Sequence, residues 1–134
     1  GCGYFESPEV MLMLAFLAII DNPVQDIPLA AVMRSPYFGS FTDDELGMVR
    51  AAGGTAPYYD CLLAASGLAS PLGEKCAAFL SYLNSLRDDA ARSSCHELIW
   101  RIYRESGIYE AAAALPDGVR RRKNLDLLLE IEME

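Results

Sequence analysis

The apolar residues of this 134-residue chain recur at intervals of three and four, the spacing that places side chains on one face of an α-helix. The clearest stripe follows Ser70-Pro71 and consists of Leu72, Cys76, Phe79, Leu80, Leu83 and Leu86. No segment shows the strict alternation of apolar and polar residues that is typical of a half-buried strand. The sequence therefore predicts an all-α protein.

Capping residues and helix breakers divide this pattern into seven or eight helices. Ser7 before Pro8 is a good start for the first helix, which we expect to run to about Asp21. Thr42 to Glu45 and Ser94 to Glu97 each have the form of a capping box at the start of a further helix. The other expected helices are a short one with Pro28 in its first turn, one from Tyr58 to about Ala65, the long one from Pro71, one from Tyr109 to Ala114, and one that follows Pro116-Asp117-Gly118 and runs to Glu134. We expect residues 1–134 to form one compact bundle and a single domain.

The first and last helices carry apolar residues beyond a single face. The first is apolar all the way round, so we expect it to be buried on most sides or to pack against protein outside this chain. In the last, Leu125, Leu127, Leu128, Leu129 and Ile131 continue almost to the terminus without a glycine cap. This pattern predicts a piece of a larger polypeptide. The alternative is that the last helix docks on its own domain as a brace.

The composition argues against a membrane or disulfide-bonded protein. The chain combines 52% hydrophobic residues with a formal net charge of −8. Its longest apolar run, residues 10–20, is shorter than the roughly 18 residues that cross a bilayer, and no basic segment precedes it. Cys2, Cys61, Cys76 and Cys95 contain no C-x-x-C pair, so we predict reduced, buried thiols rather than a metal site. We expect a soluble, cytoplasmic chain without membrane contact.

No arrangement of residues is typical of catalysis. No glycine is followed by Lys-Ser or Lys-Thr at the spacing of a phosphate-binding loop. His96, in the first turn of a helix, is more typical of a solvated surface residue than of a general base. We therefore predict no catalytic, metal-binding or cofactor-binding residue in this chain. A small helical enzyme that uses His96 is the least favoured alternative.

Positive charge is concentrated in Arg120-Arg121-Arg122-Lys123, and Arg101 and Arg104 lie about one helical turn apart. Either group would attract a phosphate backbone. A net charge of −8 opposes strong non-specific binding by the whole chain, so a solvated charged face is the alternative interpretation. Trp100 and the seven tyrosines are able to stack on bases, but we expect most in or near the core because their spacing follows the apolar stripes.

Four groups of short sequence motifs follow one another along the chain. The first is Gly3-Tyr4-Phe5-Glu6 with Glu9-Val10, and the second is Ile19 to Pro23 and Gln25 to Val32, with Arg34-Ser35-Pro36 and Gly39. The third is Glu97 to Tyr103, with Gly107 and Tyr109, and the fourth is Ala114-Leu115-Pro116, Arg120 to Leu125 and Leu127-Leu128-Leu129. In content and order they resemble the AddA (RexA) component of the bacterial ATP-dependent helicase–nuclease. That family is related to the superfamily 1 helicases UvrD and RecB. The resemblance implies a fragment of the helical accessory region called 2B.

In related helicases, a T-P-x-R-G-I-G turn of the 2B region helps to hold duplex DNA. The corresponding stretch here is Ser35 to Phe41, which lacks the arginine before the glycine and the second glycine; Arg34 is the nearest positive charge. Together with the basic run, this comparison defines the candidate DNA-binding residues. They are Arg34, Ser35, Gly39, Arg120, Arg121, Arg122 and Lys123.

For the parent protein, the resemblance implies an ATP-dependent 3′-to-5′ DNA helicase and exonuclease that processes broken DNA ends in double-strand-break repair and recombination. It would use ATP and Mg²⁺ and would work with an AddB-type partner subunit. The motifs for ATP hydrolysis and DNA cleavage would lie outside this chain, which would itself orient duplex DNA or pack on the partner subunit. The alternative from another class is a stand-alone cytoplasmic helical protein-interaction module.

Overall fold

Eight helices and no strand occur in residues 7–132, the part of the chain that this computed structural model describes. The helices are α1 (Pro8–Asp21), α2 (Asp26–Arg34), α3 (Asp43–Gly53), α4 (Tyr58–Ser66), α5 (Pro71–Ala90), α6 (Cys95–Ser106), α7 (Ile108–Ala114) and α8 (Gly118–Glu132). The all-α prediction and the expected number of helices are confirmed. The expected end of the last helix at Glu134 lies outside the described residues.

Local capping explains where several helices begin and end. Thr42 Oγ1 accepts a hydrogen bond from the Glu45 amide at 3.1 Å, and Glu45 Oε1 accepts one from the Thr42 amide at 2.9 Å, which confirms the predicted capping box. At the start of α6, Ser94 Oγ accepts from the Glu97 amide at 3.1 Å, so the serine half of the second box is present. Gly107 ends α6 with φ 73°, a left-handed conformation that suits a residue without a Cβ.

Contacts between residues divide the chain into two units. The described part of the first unit consists of residues 7–14 and 88–132, and the second unit consists of residues 15–87. Each unit buries apolar side chains of its own helices. The expectation of a single domain stays a prediction.

The second unit contains most of the long helix α5 and the pair α3 and α4. The predicted stripe of α5 is buried along its whole length, and α3 packs on α4. Tyr58 of α4 is 7% exposed, and its hydroxyl donates to the Leu46 carbonyl of α3 at 2.7 Å. Cys61 and Cys76 are buried thiols, as predicted, and burial raises the pKa of Cys76. Cys95 is partly exposed, and Cys2 lies outside the described residues.

Arg50 connects the α3–α4 loop to α2. Its Nη1 donates to the carbonyls of Gly54 at 2.9 Å and Ala56 at 2.7 Å, and its Nη2 lies 3.7 Å from Asp26 Oδ2. The guanidinium also lies over the Tyr58 ring, 5.0 Å from the ring centroid. The Arg50 side chain therefore donates hydrogen bonds to two loop carbonyls that lie outside the hydrogen-bond pattern of the helices.

The first unit packs α8 against α6 and α7. Leu125, Leu128 and Leu129 of α8 are at most 5% exposed, and the Tyr103 hydroxyl of α6 donates to the Leu125 carbonyl at 2.9 Å. Leu127 and Ile131 remain 42% and 50% exposed. The last helix therefore docks within its own unit, as the brace alternative expected, and also presents apolar side chains to solvent.

Helix α1 buries one side and leaves the other partly open. Met13, Phe16 and Ile19 are at most 1% exposed, while Met11 is 55% exposed. The sides of α1 thus differ in burial although nearly all of its residues are apolar. Among the described helices, none is both long enough and apolar enough to span a bilayer.

Candidate functional site

The turn after α2 directs its backbone amides inward. The carbonyl oxygen of Ser35 accepts hydrogen bonds from the amides of Phe38, Gly39 and Ser40 at 3.2, 3.1 and 2.8 Å. The Tyr37 amide donates to Ser35 Oγ at 3.1 Å. Four consecutive amides are therefore used within the turn, and a phosphate would have to displace these bonds to reach them.

Ser35 and Gly39 shape this turn. Ser35 is 6% exposed, and its amide ends α2 by donating to the carbonyls of Ala31 and Val32, both at 3.2 Å. A Cβ on Gly39 would lie 2.2 Å from the Met33 carbonyl oxygen, so the close approach of these two backbones requires glycine. These two candidate residues thus support the turn from within.

Arg34 is the member of this set that reaches solvent. Its Nε lies 3.2 Å from Asp43 Oδ1, and the two side chains are 63% and 85% exposed. An ion pair at this exposure contributes little to stability and is easily exchanged for another anion. The Arg34 guanidinium is therefore accessible to a ligand beside the turn.

In the basic run, Arg121 points into the first unit. Its guanidinium forms an ion pair with the carboxylate of Glu9, which is 5% exposed, and its Nε donates to the Pro116 carbonyl at 3.0 Å. The Ser7 hydroxyl donates to the other Glu9 carboxylate oxygen at 2.7 Å. Arg121 therefore anchors the start of α8 to the start of α1. This contact accounts for a cation at a helix N-terminus, where the helix dipole disfavours it.

The environment of Glu9 keeps it charged. Burial alone would raise the pKa of this carboxyl, but the hydrogen bonds from Ser7 and Arg121 lower its pKa below the ordinary value. The ion pair is thus fully formed at neutral pH.

The other three residues of the basic run are exposed. Arg120 pairs loosely with Asp117, with Nη2 3.4 Å from Oδ2 and both side chains about two-thirds exposed. Within residues 7–132, no carboxylate lies within ion-pair distance of Arg122 or Lys123. The first turns of α8 therefore present three cations to solvent and one to the protein interior. The run belongs to the first unit, and the Arg34 turn belongs to the second.

A surface cleft of about 350 Å³ runs along α6 in the first unit. It is lined by Asp89, Ser93, His96, Glu97, Trp100, Arg101 and Arg104. Sequence reasoning considered several of these residues separately and did not combine them. The signal that would have combined them is the four-residue spacing of His96, Trp100 and Arg104, which places them in one row on a helix.

Two of the charged groups in this α6 cleft neutralise each other. Arg101 Nη1 lies 3.2 Å from Asp89 Oδ2, and its Nε lies 3.0 Å from Glu105 Oε1. A hydrogen bond from the Ser93 hydroxyl, with one from Arg101, lowers the pKa of Asp89. Glu97 and Arg104 are both exposed, and no charged partner within the described residues pairs with their side chains.

Aromatic rings hold Trp100 from the protein side of the cleft. The centroids of the Tyr103 and Tyr109 rings lie 5.9 and 6.0 Å from the centroid of the Trp100 ring. The Tyr109 hydroxyl in turn donates to Asp126 Oδ1 of α8 at 2.8 Å. Trp100 is half-buried, and its indole is therefore fixed in place while part of it faces the cleft.

His96 lies at the edge of the same cleft, half-buried, with Nδ1 3.4 Å from the Leu129 carbonyl. In the described part of the chain, no group of three or more His, Cys, Asp or Glu side chains is arranged to hold a metal ion.

Comparison with known proteins identifies relatives along nearly the whole chain. No protein-family model matches. Proteins named as the A component of an ATP-dependent helicase/nuclease are 43% identical over 129 residues in Listeria monocytogenes serotype 4a, 42% over 127 residues in Lactobacillus johnsonii, and 41% over 130 residues in Thermoanaerobacter sp. (strain X514).

These similarities cover 95–97% of this chain but 10% of each relative, so the chain spans about one tenth of the length of the curated relatives it matches. The resemblance found in the sequence is confirmed: this chain is homologous to one segment of the A component of the ATP-dependent helicase/nuclease.

Proposed function

We propose that this chain is a non-catalytic accessory segment, of the 2B type, in a protein that unwinds and degrades DNA ends with ATP and Mg²⁺. The observation that carries the proposal is 41–43% identity over nearly the whole chain to proteins named for helicase and nuclease activity. That parent protein would act in the cytoplasm, in double-strand-break repair and recombination, together with an AddB-type partner subunit.

The segment's role would be to orient DNA from a helical scaffold. Exposed guanidinium and ammonium groups attract phosphates, and Arg34, Arg120, Arg122 and Lys123 are the exposed members of the candidate set. Ser35 and Gly39 would hold the turn beside Arg34, and Arg121 would hold the start of α8. The candidate residues thus divide into those that touch DNA and those that position them.

The exposed side of α8 supports a second contact, with protein. Leu127 and Ile131 are 42% and 50% exposed and lie four residues apart, so they share one side of the C-terminal half of the helix. Exposed apolar side chains grouped in this way are typical of a surface that another protein covers. We place the AddB-type partner, or the remainder of the parent protein, on this side.

The proposal is tested in the full-length Listeria relative, by deleting the homologous segment and by replacing it with this chain. Deletion is expected to leave DNA-stimulated ATP hydrolysis measurable while strand unwinding is lost, because the segment orients the DNA without carrying the motor. Replacement with this chain should restore unwinding. Normal unwinding after deletion, or ATP hydrolysis by this chain alone, would contradict the proposal.

The phosphate contacts are tested separately by Lys123→Glu in the replacement protein. The slope of log affinity against log salt for a duplex end should become shallower by about one unit, since each lost phosphate contact releases about one counterion fewer. Arg92→Glu is the matched control, because Arg92 is exposed in the turn between α5 and α6, outside the basic run. Equal slopes for the two variants would contradict the phosphate contact and would favour the alternative interpretation of the basic run as a solvated charged face.

A further inference from the structure

We propose that the α6 cleft binds one unpaired base of single-stranded DNA, preferably guanine, with the base stacked on Trp100, its hydrogen-bonding edge on Glu97 and its phosphate on Arg104. The inference rests on the proposed function in taking DNA as the ligand. It adds a site, along α6 in the first unit, that is made of other residues than the Arg34 turn and the basic run.

Trp100 supplies the stacking surface. Its indole is partly exposed in the cleft and is fixed by the Tyr103 and Tyr109 rings on the protein side. A fixed aromatic ring loses little freedom when a base stacks on it, and stacking is favourable with every base. The volume of about 350 Å³ is small for a binding pocket, which suits one base rather than a longer segment.

Arg104 supplies a cation at the right separation. It lies four residues after Trp100, which is about 6 Å along a helix and comparable to the distance from a base to its own phosphate. Arg101 is nearer in sequence but is already paired with Asp89 and Glu105. The Arg104 guanidinium is exposed and is therefore the cation of the cleft that is open to a phosphate.

Glu97 supplies the preference for guanine. A carboxylate accepts two parallel hydrogen bonds from the N1–H and the 2-amino group of guanine, and thymine does not offer that pair of donors. Glu97 is exposed and lines the cleft beside Trp100. In a duplex these two donors are already paired with cytosine, so the cleft suits an unpaired base of a single strand rather than a duplex.

The chain's single tryptophan makes the test direct, because intrinsic fluorescence at tryptophan wavelengths reports on Trp100 alone. The full 134-residue chain is titrated with the pentadeoxynucleotides TTGTT, TTTTT and TTITT, in which I is inosine and lacks the 2-amino group. We expect quenching by all three and about tenfold tighter binding of TTGTT than of TTTTT, with TTITT between them.

Three variants, measured by the anisotropy of labelled pentanucleotides, assign the contacts. Trp100→Ala should weaken the binding of every pentanucleotide by about tenfold, because stacking is lost. Arg104→Ala should weaken all of them and make binding less dependent on salt. Glu97→Ala should remove the preference for TTGTT while keeping the affinity for TTTTT. Arg92→Ala is the control outside the cleft lining, and circular dichroism confirms that each variant is folded.

Absence of quenching by any pentanucleotide would overturn the inference, as would a guanine preference that survives Glu97→Ala. Tighter binding of a duplex than of a single strand, when both are measured by the quenching of Trp100, would overturn it as well. These outcomes are distinguishable from failure of the proposed function. If the replacement protein unwinds DNA normally while this chain binds no pentanucleotide, the proposed base site in the α6 cleft is refuted and the proposed function is not.

Discussion

The carboxylate of Glu9 and the guanidinium of Arg121 form an ion pair that joins residues 112 positions apart in the sequence. Glu9 is 5% exposed and Arg121 is 27% exposed, so water reaches the arginine more readily than the carboxylate. The Ser7 hydroxyl and the Pro116 carbonyl complete the hydrogen bonding of the pair. The starts of α1 and α8 are therefore connected by an ion pair to which each helix contributes one charge.

Replacing Arg121 with alanine should reduce the free energy of unfolding by about 2 kcal/mol, because it leaves the buried Glu9 carboxylate without its partner. The matched control is Arg122→Ala, one residue along the same helix and exposed, where a change below about 0.5 kcal/mol is expected. Urea unfolding followed by circular dichroism measures both. Similar losses in the two variants would mean that the ion pair contributes nothing beyond an exposed charge.

The lowered pKa of Glu9 predicts a dependence of stability on acid. Because the folded pKa lies below the ordinary value of 4.5, the ionised carboxylate favours the folded state. This contribution is fully present above pH 4.5 and is lost as the pH falls through the lower folded pKa. Glu9→Gln should therefore be less stable than the parent at neutral pH, with a difference that shrinks in acid.

The measurement is urea unfolding at a series of pH values below neutrality. The exposed Glu110 of α7 supplies the control Glu110→Gln, for which we expect a small difference from the parent at every pH. A Glu9→Gln difference that is constant across the series would show that Glu9 does not titrate as the structure indicates.

Features that depend on neighbours in the sequence were predictable. The capping box at Thr42 and Glu45 and the buried stripe of α5 follow from residues three or four positions apart, and both are confirmed. The same local logic places Gly107 at the end of α6.

Features that depend on distant partners were not predictable. The basic run suggests four equivalent cations, yet Arg121 is turned inward by a carboxylate at the other end of the sequence. The α6 cleft likewise combines α6 residues with Asp89 and Ser93, which precede that helix. Spacing along one helix indicates a shared face, but it does not show which residue of another helix meets that face.

The two glycines Gly39 and Gly47 should respond in opposite directions to alanine. At Gly39 the new Cβ would lie 2.2 Å from the Met33 carbonyl oxygen, so Gly39→Ala should destabilise the protein by about 2 kcal/mol. At Gly47, exposed within α3, nothing in the described residues beyond its chain neighbours and the nearby backbone of its own helix lies within 4 Å of the new Cβ, and Gly47→Ala should stabilise by about 0.5–1 kcal/mol. Thermal unfolding of both variants gives the comparison. A neutral Gly39→Ala would show that the turn relaxes easily.

Tyr58 predicts a loss of stability in alkali. Burial, which outweighs the favourable charge of Arg50, raises the pKa of its phenol to about 12, from an ordinary value of 10.0. The neutral phenol, bonded to the Leu46 carbonyl, therefore contributes stability that is fully present below pH 10.0 and is lost as the pH rises toward 12. Tyr58→Phe should cost about 1 kcal/mol at neutral pH and should flatten the alkaline decline. Tyr59→Phe, at the next position of α4, is the control and should keep the parent's decline. An equal decline in both variants would assign the alkaline loss to other groups.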